Sequence, residues 1–251
     1  MLENRASCPS PPYAWGSPAT TNCYSSSPSP NCGNVTSFGV SASDKQLIVS
    51  VHNSWRARVA SGQETKGKPG PQPKASNMRR MVWDNKLAAT AQGLANTCNF
   101  NHDDPNCRTY GTSFQPVGQN LYMSWGCNGL KPNWTAAVQA WYNEVALFSN
   151  SSVSPFKLTM DTGHYTQVVW ADTYAVGYCV DQFTMDTGHY TQVVWADTYA
   201  VGNGQVAYKG EYQIYACNYG PAGNYIGLTM YGVGAPCSCC KSTCSIGVLC
   251  D

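Results

Sequence analysis

The order of its segments predicts that the chain folds as an α+β domain. Apolar residues recur at helical spacing in three early segments, and β-branched and aromatic residues are concentrated in the segments that follow. Helices followed by contiguous strands are typical of an α+β layer architecture. The 251 residues suffice for one full-sized domain with extensions, and thirteen cysteines indicate that disulfides stabilise it.

The composition of the chain argues against several classes of function. The net charge is +1 and only 12% of the residues are charged, which disfavours a nucleic-acid partner. No apolar run approaches the ~20 residues that a membrane helix needs. Residues 1–8 lack the apolar core of a secretory signal, so an exported protein would be represented here by its mature or recombinant form.

The cysteines and their surroundings indicate a secreted, extracellular protein. Cysteine-dense chains with Ser/Pro/Gly-rich flanks are usually disulfide-bonded, and no two separated Cys-x-x-Cys knuckles occur here to favour zinc ribbons. Three glycosylation acceptors fit export: Asn34, Asn133 and Asn150 each begin an Asn-x-Ser/Thr tripeptide. Because thirteen is odd, one thiol should stay free or pair between chains, unless the sequence itself is irregular.

Both ends of the chain differ from its middle. Residues 1–39 are rich in Ser, Pro, Asn and Gly, and we interpret them as an irregular arm that disulfides hold in place. Residues 40–234 carry the periodic segments and form the predicted domain. Residues 235–251 hold five cysteines and form a short tail that is too small to have a core of its own.

The first predicted helix begins at Ser43-Asp44 and ends near Gly62, where a glycine tolerates the left-handed cap. His52 lies on its apolar face and is interpreted as a core histidine with satisfied hydrogen bonds. The following stretch, Lys66–Pro73, contains three prolines and two glycines and is a predicted loop.

Two further helices are predicted from their caps and apolar stripes. Asp84 begins the second helix, which ends at Cys98. Asn133 caps the third, whose stripe runs to Phe148. Glu144 follows Trp141 by three positions on this helix, so it should lie beside the buried face.

Three segments in the second half are predicted strands because they are rich in β-branched and aromatic residues. They are Val168–Trp170, Val176–Val180 and Val206–Asn218. Residues 120–125 are short and apolar, and Asn218–Gly227 is rich in turn formers.

One segment occurs twice, letter for letter: Thr159–Gly177 and Thr184–Gly202. Without the second copy, Phe183 would join Asn203-Gly204 and restore a hairpin with a favoured Asn-Gly turn. We therefore interpret 184–202 as the insertion, which either protrudes as a poorly packed segment or extends the hairpin. The reverse assignment, with the first copy looped out, stays open.

Five motifs occur in an order that identifies a family. They are His52-Asn53 with Arg56, Val117–Leu121, Trp141–Glu144, Gly163–Thr173 and Ile214–Tyr225. Together they resemble the motifs of the CAP superfamily, which comprises cysteine-rich secretory proteins, antigen 5 and pathogenesis-related 1 proteins. Three other segments are similar to the arthropod antigen 5 branch of venom and salivary allergens: Pro30–Asn34, Lys68–Pro73 and Asn101–Asp103. The resemblance implies a three-layer α-β-α sandwich.

The resemblance also implies a central cleft with two histidines and two acidic residues. His102, Glu144 and His164 match three of these positions, but Gln119 stands at the fourth and supplies no charge. Two imidazoles and a carboxylate suit Zn²⁺ or Cu²⁺. We expect no required cofactor and weak metal binding by His102 and His164, with Glu144 acting through water or orienting a ligand. Alternatively, these groups only hydrogen-bond one another. His164, rather than His189 of the second copy, is expected in the cleft.

The function that follows is that of a secreted, monomeric, non-enzymatic protein of antigen 5 type. No Ser or Thr stands in a nucleophile setting such as Gly-x-Ser-x-Gly, and the cysteines are expected to be oxidised. Some relatives bind lipids or sterols, so a small hydrophobic ligand, a host protein or a divalent metal is the expected partner. The alternatives are a secreted protease and an ion-channel-modulating toxin.

Disulfide pairing follows partly from the resemblance, which implies Cys32–Cys98 and Cys179–Cys217. Two partners for Cys8 stay open: Cys23 and Cys107. Pairing within the tail cannot be deduced from the sequence.

Overall fold

The computed structural model describes residue 8 and residues 22–126, 130–186 and 209–251. Within these ranges the chain forms four α-helices and seven β-strands. The helices are α1 (Ala42–Ala60), α2 (Asn85–Ala95), α3 (Trp134–Asn143) and α4 (Gly163–Val168). The strands are β1 (Asn34–Phe38), β2 (Val82–Trp83), β3 (Gly118–Gly126), β4 (Ala175–Asp186), β5 (Lys209–Gly220), β6 (Cys244–Ser245) and β7 (Leu249–Cys250).

The main sheet has the strand order β1-β4-β5-β3, and β2 pairs in parallel with one end of β4. The antiparallel β4–β5 pair runs from Ala175 opposite Gly220 to Asp186 opposite Lys209. The arm, expected to be irregular, contributes strand β1, which pairs antiparallel with β4. It pairs there because the outer edge of β4 offers unpaired backbone groups. The strands β6 and β7 form a separate small hairpin in the tail.

Side-chain caps set the starts of the three long helices, as the sequence predicted to within two residues. Ser41 accepts a hydrogen bond from Asp44 N at 3.1 Å, and Asp84 accepts from Lys86 N at 2.7 Å. Asn133 caps α3 in the same way. The α3 helix is shorter than predicted, because it ends at Asn143 and the chain continues as a 3₁₀-helix, Glu144–Leu147.

Helices cover both faces of the sheet, so the α+β class and the α-β-α layering are confirmed. One face packs against α1, α3 and α4 and buries most of the large side chains, whereas α2 packs on the other face over Leu121 and Ala216. Alternate residues of a strand point to opposite faces, which separates the two cores. The large core residues are Trp134, Trp170, Tyr142, Tyr165, Tyr178, Tyr215, Tyr219, Tyr231, Phe148 and Phe156.

Arg56, in the middle of α1, is fully buried and joins the helix to the first copy of the repeated segment. Its guanidinium donates only to backbone carbonyls, which satisfies a charged group that would be costly to bury alone. The acceptors are Arg79 O at 2.8 Å, Val168 O at 2.9 Å, Trp170 O at 2.8 Å, Ala171 O at 3.1 Å and Thr173 O at 2.9 Å.

The predicted strand Val168–Trp170 is wrong. Gly163–Val168 forms α4, and residues 169–174 form the loop whose carbonyls Arg56 binds. The β propensity of Val and Tyr is weak compared with burial in the core, and Tyr165, Val168 and Val169 are all buried there. The predicted strand Val206–Asn218 is present from residue 209 and extends to Gly220, while residues 206–208 lie outside the described ranges.

Five disulfides join ten of the twelve described cysteines. Cys32 pairs with Cys98, as the resemblance implied. Both alternatives for Cys8 are wrong, because Cys8 pairs with Cys239 of the tail and Cys23 pairs with Cys107. Arm and tail therefore meet, which no spacing in the sequence indicated. The tail itself is closed by Cys237–Cys244 and Cys240–Cys250.

Cys179 and Cys217 do not pair, which corrects the expected bridge between β4 and β5. Cys217 lies opposite Tyr178, and Cys179 lies opposite Ala216. The two cysteines are thus one position out of register, and their side chains point to opposite faces of the sheet. The Cys179 thiol donates to Gln92 Oε1, and burial raises the pKa of the Cys217 thiol. Cys127 lies outside the described residues.

The two copies of the repeated segment take different positions. The first copy lies within the domain, as a 3₁₀-helix (Met160–Thr162), α4 and the start of β4. The first three residues of the second copy, Thr184–Asp186, extend β4 opposite Glu211–Lys209. The rest of the second copy, including His189, and the Asn203-Gly204 turn lie outside the described residues.

Candidate functional site

His164 and Glu144 form the first half of the candidate site. His164 is the second residue of α4, and Glu144 is the residue at which α3 gives way to the 3₁₀-helix. The Glu144 carboxylate accepts from His164 N at 2.9 Å, from Tyr165 N at 3.1 Å and from His164 Nδ1 at 2.6 Å. Because Nδ1 donates to the carboxylate, the lone pair of a neutral ring is on Nε2.

The His164 ring is also held from its face and from its backbone. The Trp141 ring lies nearly parallel to it, with the centroids 6.3 Å apart and the planes at 21°. Trp141 is itself fixed by a 2.8 Å hydrogen bond from Nε1 to Leu121 O. Asn120 Nδ2 donates to His164 O at 3.1 Å. The orientation of the imidazole is therefore set before any ligand arrives.

His102 and Gln119 form the second half. His102 lies on the loop after α2, and its Nδ1 is 2.8 Å from Gln119 Oε1. Gln119 Nε2 donates to Asn218 Oδ1 at 3.0 Å, and Asn218 Nδ2 donates to Thr90 Oγ1 at 3.0 Å. This chain of amides orients the oxygen of Gln119 towards the ring, so Nδ1–H donates and Nε2 again carries the lone pair.

The loop that carries His102 is fastened at its next residue. Asp103 forms an ion pair with Arg108 at 2.7 Å and accepts a hydrogen bond from the Tyr24 hydroxyl. The Cys23–Cys107 disulfide ties the same loop to the arm. The arm therefore supports one of the two histidines, although the sequence alone gave it no role in the site.

The four residues predicted for the cleft thus form two hydrogen-bonded pairs that border strand β3. Gln119 faces the α2 side, whereas its neighbour Asn120 faces α4 and holds His164. β3 is the last strand of the sheet order, so both pairs lie along the same edge. Among the described residues, no group of three or more His, Cys, Asp or Glu side chains is arranged to hold a metal ion. Each pair leaves one imidazole Nε2, that of His102 and that of His164, without a hydrogen bond to any residue that the structure describes.

His52 lies in the core, as interpreted from the sequence. Its Nδ1 is 2.8 Å from Ile48 O and its Nε2 is 3.0 Å from Tyr219 Oη. Burial lowers the pKa of His52 to about 4, so the ring is neutral at physiological pH. The Tyr219 hydroxyl also accepts from Asn120 Nδ2 at 3.3 Å. A chain of hydrogen bonds thereby links the α1 core to the residue that holds His164.

Sequence reasoning missed the supporting residues Asn120, Asn218 and Trp141. Each lies inside a motif that the sequence analysis singled out, so a signal was present. The supporting role of these residues could not be inferred, because their hydrogen-bond partners are up to 99 positions away in the sequence, as Asn218 is from Gln119. The predicted glycosylation acceptors Asn34 and Asn133 are exposed, whereas Asn150 is half-buried and donates to Pro71 O at 3.2 Å.

Comparison with known proteins gives consistent results. The model of the CAP family, described as "Cysteine-rich secretory protein family", matches residues 49–182. Venom allergen 5 of Brachyponera chinensis is 40% identical over 224 residues, which cover 86% of this chain and 98% of that protein. Venom allergen 5 of Microctonus hyperodae is 42% identical over 207 residues, covering 80% of this chain and 76% of that protein.

Two solved structures are similar over most of their length. The crystal structure of NaASP2 with Zn²⁺ has a TM-score of 0.61 and 30% identity, and the match covers 85% of this chain and 97% of that one. The structure of BmVAL-1 has a TM-score of 0.63 at 23% identity, with 84% and 95% covered, and supports the fold alone. No helix among the described residues is long and apolar enough to cross a bilayer.

Proposed function

The chain belongs to the CAP family, the cysteine-rich secretory protein family, and we propose that it is a secreted, non-enzymatic binding protein of the venom allergen 5 type. The observation that carries the proposal is the arrangement of His102 and His164 along β3. Each ring donates from Nδ1 to a fixed oxygen and keeps Nε2 for a ligand. We propose that the ligand is a divalent cation, Zn²⁺ or Cu²⁺.

Export is supported by the disulfides. Five disulfides join cysteines of the described residues, and bonds of this kind persist in oxidising compartments. The relatives reported above are named venom allergens, which are the class of protein expected outside the cell. We further propose that the glycosylation acceptors Asn34 and Asn133, which are exposed, are modified during export.

The hydrogen bonds of the polar groups in the cleft support our proposal that the protein is not an enzyme. The Glu144 carboxylate already accepts three hydrogen bonds that hold α4 and the His164 ring. The partner of His102 is an amide, which has no proton to exchange at physiological pH. A protease needs a nucleophile beside a base, and no hydrogen bond joins a Ser, Thr or Cys side chain to His102 or His164 among the described residues.

The donor set fits a weakly bound metal. Two imidazoles are good ligands for Zn²⁺ and Cu²⁺, and the Glu144 carboxylate fixes the tautomer and the orientation of the His164 ring. Water would complete the coordination, because the protein supplies no third ligand group in the described residues. A bound cation would supply positive charge to a cleft that otherwise contains one carboxylate. The similar structure of NaASP2 was determined with Zn²⁺.

Titration calorimetry with Zn²⁺ and Cu²⁺ tests the metal proposal. We expect saturable binding by the wild type and a loss of about tenfold or more in affinity for His164→Ala and for His102→Ala. The matched control is His189→Ala, because His189 has the same neighbours in sequence as His164. Equal uptake by the wild type and His164→Ala would exclude the site, and a loss confined to His189→Ala would assign it to the second copy.

A second candidate ligand is a small apolar molecule such as a fatty acid or sterol. A groove of about 470 Å³ lies between α1 and the β6–β7 hairpin, lined by Trp55, Ala57, Ile246 and Val248 among others. Ile246 is 73% exposed at this groove and adds apolar surface beside Trp55 and Val248. Organic extraction of the purified protein followed by mass spectrometry tests this candidate. Recovery of no lipid from protein made in eukaryotic cells would exclude it.

A further inference from the structure

A second cavity lies where the cysteine-rich tail meets the domain. Its volume is about 410 Å³, within the range of small-molecule sites. We call it the tail pocket and define it by Arg79, Phe114, Asp172, Tyr174, Pro221 and Lys241. None of the cleft residues His102, Gln119, Glu144 and His164 lines it. It is therefore separate from the site described above.

The walls of the tail pocket are held in place by the backbone and by disulfides. Cys250 N donates to Met78 O at 2.8 Å, and Arg80 N donates to Cys250 O at 2.7 Å. Cys239 N donates to Ser76 O at 2.9 Å, and the Cys8–Cys239 bond fixes the same residue. A cavity with such walls is formed before a ligand arrives, which lowers the entropic cost of binding.

Asp172 is the residue in the pocket that most needs a partner. Its carboxylate is half-buried and makes no hydrogen bond and no ion pair with any residue that the structure describes. Burial raises the pKa of Asp172, and the nearby positive charges of Lys241 and Arg79 oppose that rise only in part. The carboxylate is therefore available to accept a hydrogen bond or to form an ion pair with a ligand.

Positive charge lies in the same cavity. The Arg79 guanidinium stacks on the Tyr174 ring, 3.7 Å from its centroid, and Lys241 is exposed at the rim. Neither lies within ion-pair distance of Asp172. The other carboxylate of the pocket, Asp251, is already bound by Arg80 at 3.0 Å, Thr243 at 2.6 Å and Ser245. The free charges are therefore two cations and one anion.

An apolar surface completes the pocket. Phe114 and Tyr174 meet edge to face, with their ring centroids 5.6 Å apart, and Pro221 lies beside them. Aromatic rings of this kind bury apolar or aromatic parts of a ligand. The cavity thus combines separated positive and negative groups with an aromatic wall.

We propose that the tail pocket binds a small zwitterion of the α-amino acid class with an apolar or aromatic side chain. Asp172 accepts the ammonium group, Arg79 and Lys241 bind the carboxylate, and the side chain packs against Phe114 and Tyr174. A simple anion would leave Asp172 without a partner, and a simple cation would leave Arg79 and Lys241 without one. A ligand that carries both charges satisfies all three groups.

Titration calorimetry on the full chain with three related ligands tests the proposal. L-phenylalanine carries both charges, 3-phenylpropanoate lacks the ammonium and 2-phenylethylamine lacks the carboxylate. We expect L-phenylalanine to bind the wild type about tenfold or more tighter than either analogue. Asp172→Asn should weaken L-phenylalanine by about tenfold and leave 3-phenylpropanoate unchanged or tighter, whereas Lys241→Gln should weaken both carboxylates.

Two controls keep the result interpretable. Asp197→Asn changes the equivalent aspartate of the second copy, which has the same sequence neighbours, and should leave binding unchanged. His164→Ala should also bind L-phenylalanine normally, because the cleft is separate. Lys241 is exposed, so its substitution preserves the fold even if Asp172→Asn lowers the melting temperature. Absent binding of L-phenylalanine, equal binding of 3-phenylpropanoate, or no effect of Asp172→Asn in a folded variant would each overturn the proposal.

Discussion

His52 lies inside the domain with both ring nitrogens occupied, whereas His102 and His164 each keep Nε2 for another group. The difference comes from what surrounds each ring. Ile48 O and Tyr219 Oη leave no access to His52, which makes it a structural residue. Each of the other two rings has a hydrogen bond at Nδ1 only, and both lie beside the edge strand of the sheet. His52 is therefore structural, whereas His102 and His164 are the candidate ligands of the proposed metal site.

The burial of His52 predicts an acid-dependent loss of stability. The folded protein holds the pKa of His52 at about 4, while the unfolded chain has a value near ~6.5. As the pH falls below ~6.5, the unfolded chain binds a proton that the folded chain excludes. We expect the free energy of unfolding to fall by about 2 kcal/mol from this residue between pH ~6.5 and ~5. Urea unfolding across this range measures it.

The matching variant is His52→Gln, which should be less stable at neutral pH but lose less stability over the same range. His189→Gln serves as the control for removing a histidine in general. Identical pH slopes for the wild type and His52→Gln would contradict the assignment of a neutral, buried imidazole.

Motifs in the sequence were enough to name His102, Gln119, Glu144 and His164, and the structure arranges them as two hydrogen-bonded pairs. The pairing of Cys179 with Cys217 could not be judged in the same way, because it depends on strand register. A shift of one residue places Tyr178 opposite Cys217 and sends the two thiols to opposite faces. Spacing along the chain does not report such a shift.

At the scale of secondary-structure elements, identical residues of the repeated segment adopt different conformations because their surroundings differ. Thr159-Met160-Asp161 lies at the start of a 3₁₀-helix, whereas the identical Thr184–Asp186 continues strand β4. The side chains of Arg56, Glu144 and Asn120 form hydrogen bonds with backbone groups of the first copy and hold it in place. The described part of the second copy is held by the neighbouring strand β5.

The two copies should therefore respond differently to deletion. Removing Thr184–Gly202 should leave the melting temperature unchanged or raise it, because fewer residues then separate Phe183 from β5 and no contact of Arg56 is lost. Removing Thr159–Gly177, which has the same composition and length, should prevent folding, since the carbonyls bound by Arg56 would be lost. Thermal unfolding followed by circular dichroism compares the two. Collapse of the first variant would show that the second copy is the integrated one.

Helix starts were predictable because capping is local: Ser41, Asp84 and Asn133 each bond an amide within three residues. The conformation of α4 was not predictable from its own letters. Tyr165 and Val168 favour strands, but they are buried against α1 and α3 as part of a short helix. For a segment this short, tertiary packing determines whether it forms a helix or a strand.

For the whole molecule, the unexpected feature is the link between arm and tail. Cys8 and Cys239 are 231 positions apart, and the bond brings residue 8 to the wall of the tail pocket. Cys23–Cys107 connects the same arm to the loop that carries His102. The arm is therefore part of the architecture of both candidate sites, although its composition suggested only an appendage.

Loop closure predicts the relative importance of the disulfides. Replacing Cys8 and Cys239 by Ser opens a disulfide-closed loop that spans 231 positions. Replacing Cys237 and Cys244 by Ser opens a loop that spans 7 positions. Chain entropy sets upper bounds of about 5 and about 2 kcal/mol for the two losses. Urea unfolding of both double variants measures them. Equal losses would show that strain or local contacts, rather than closure, determine the contribution.

The Cys8–Cys239 bond also makes nearly the entire polypeptide a covalent ring. Hydrolysis of any single peptide bond between these two cysteines opens the ring but releases no fragment. A sample cut once in this way would keep its full mass until a reductant was added, and only then would separate bands reveal the cut.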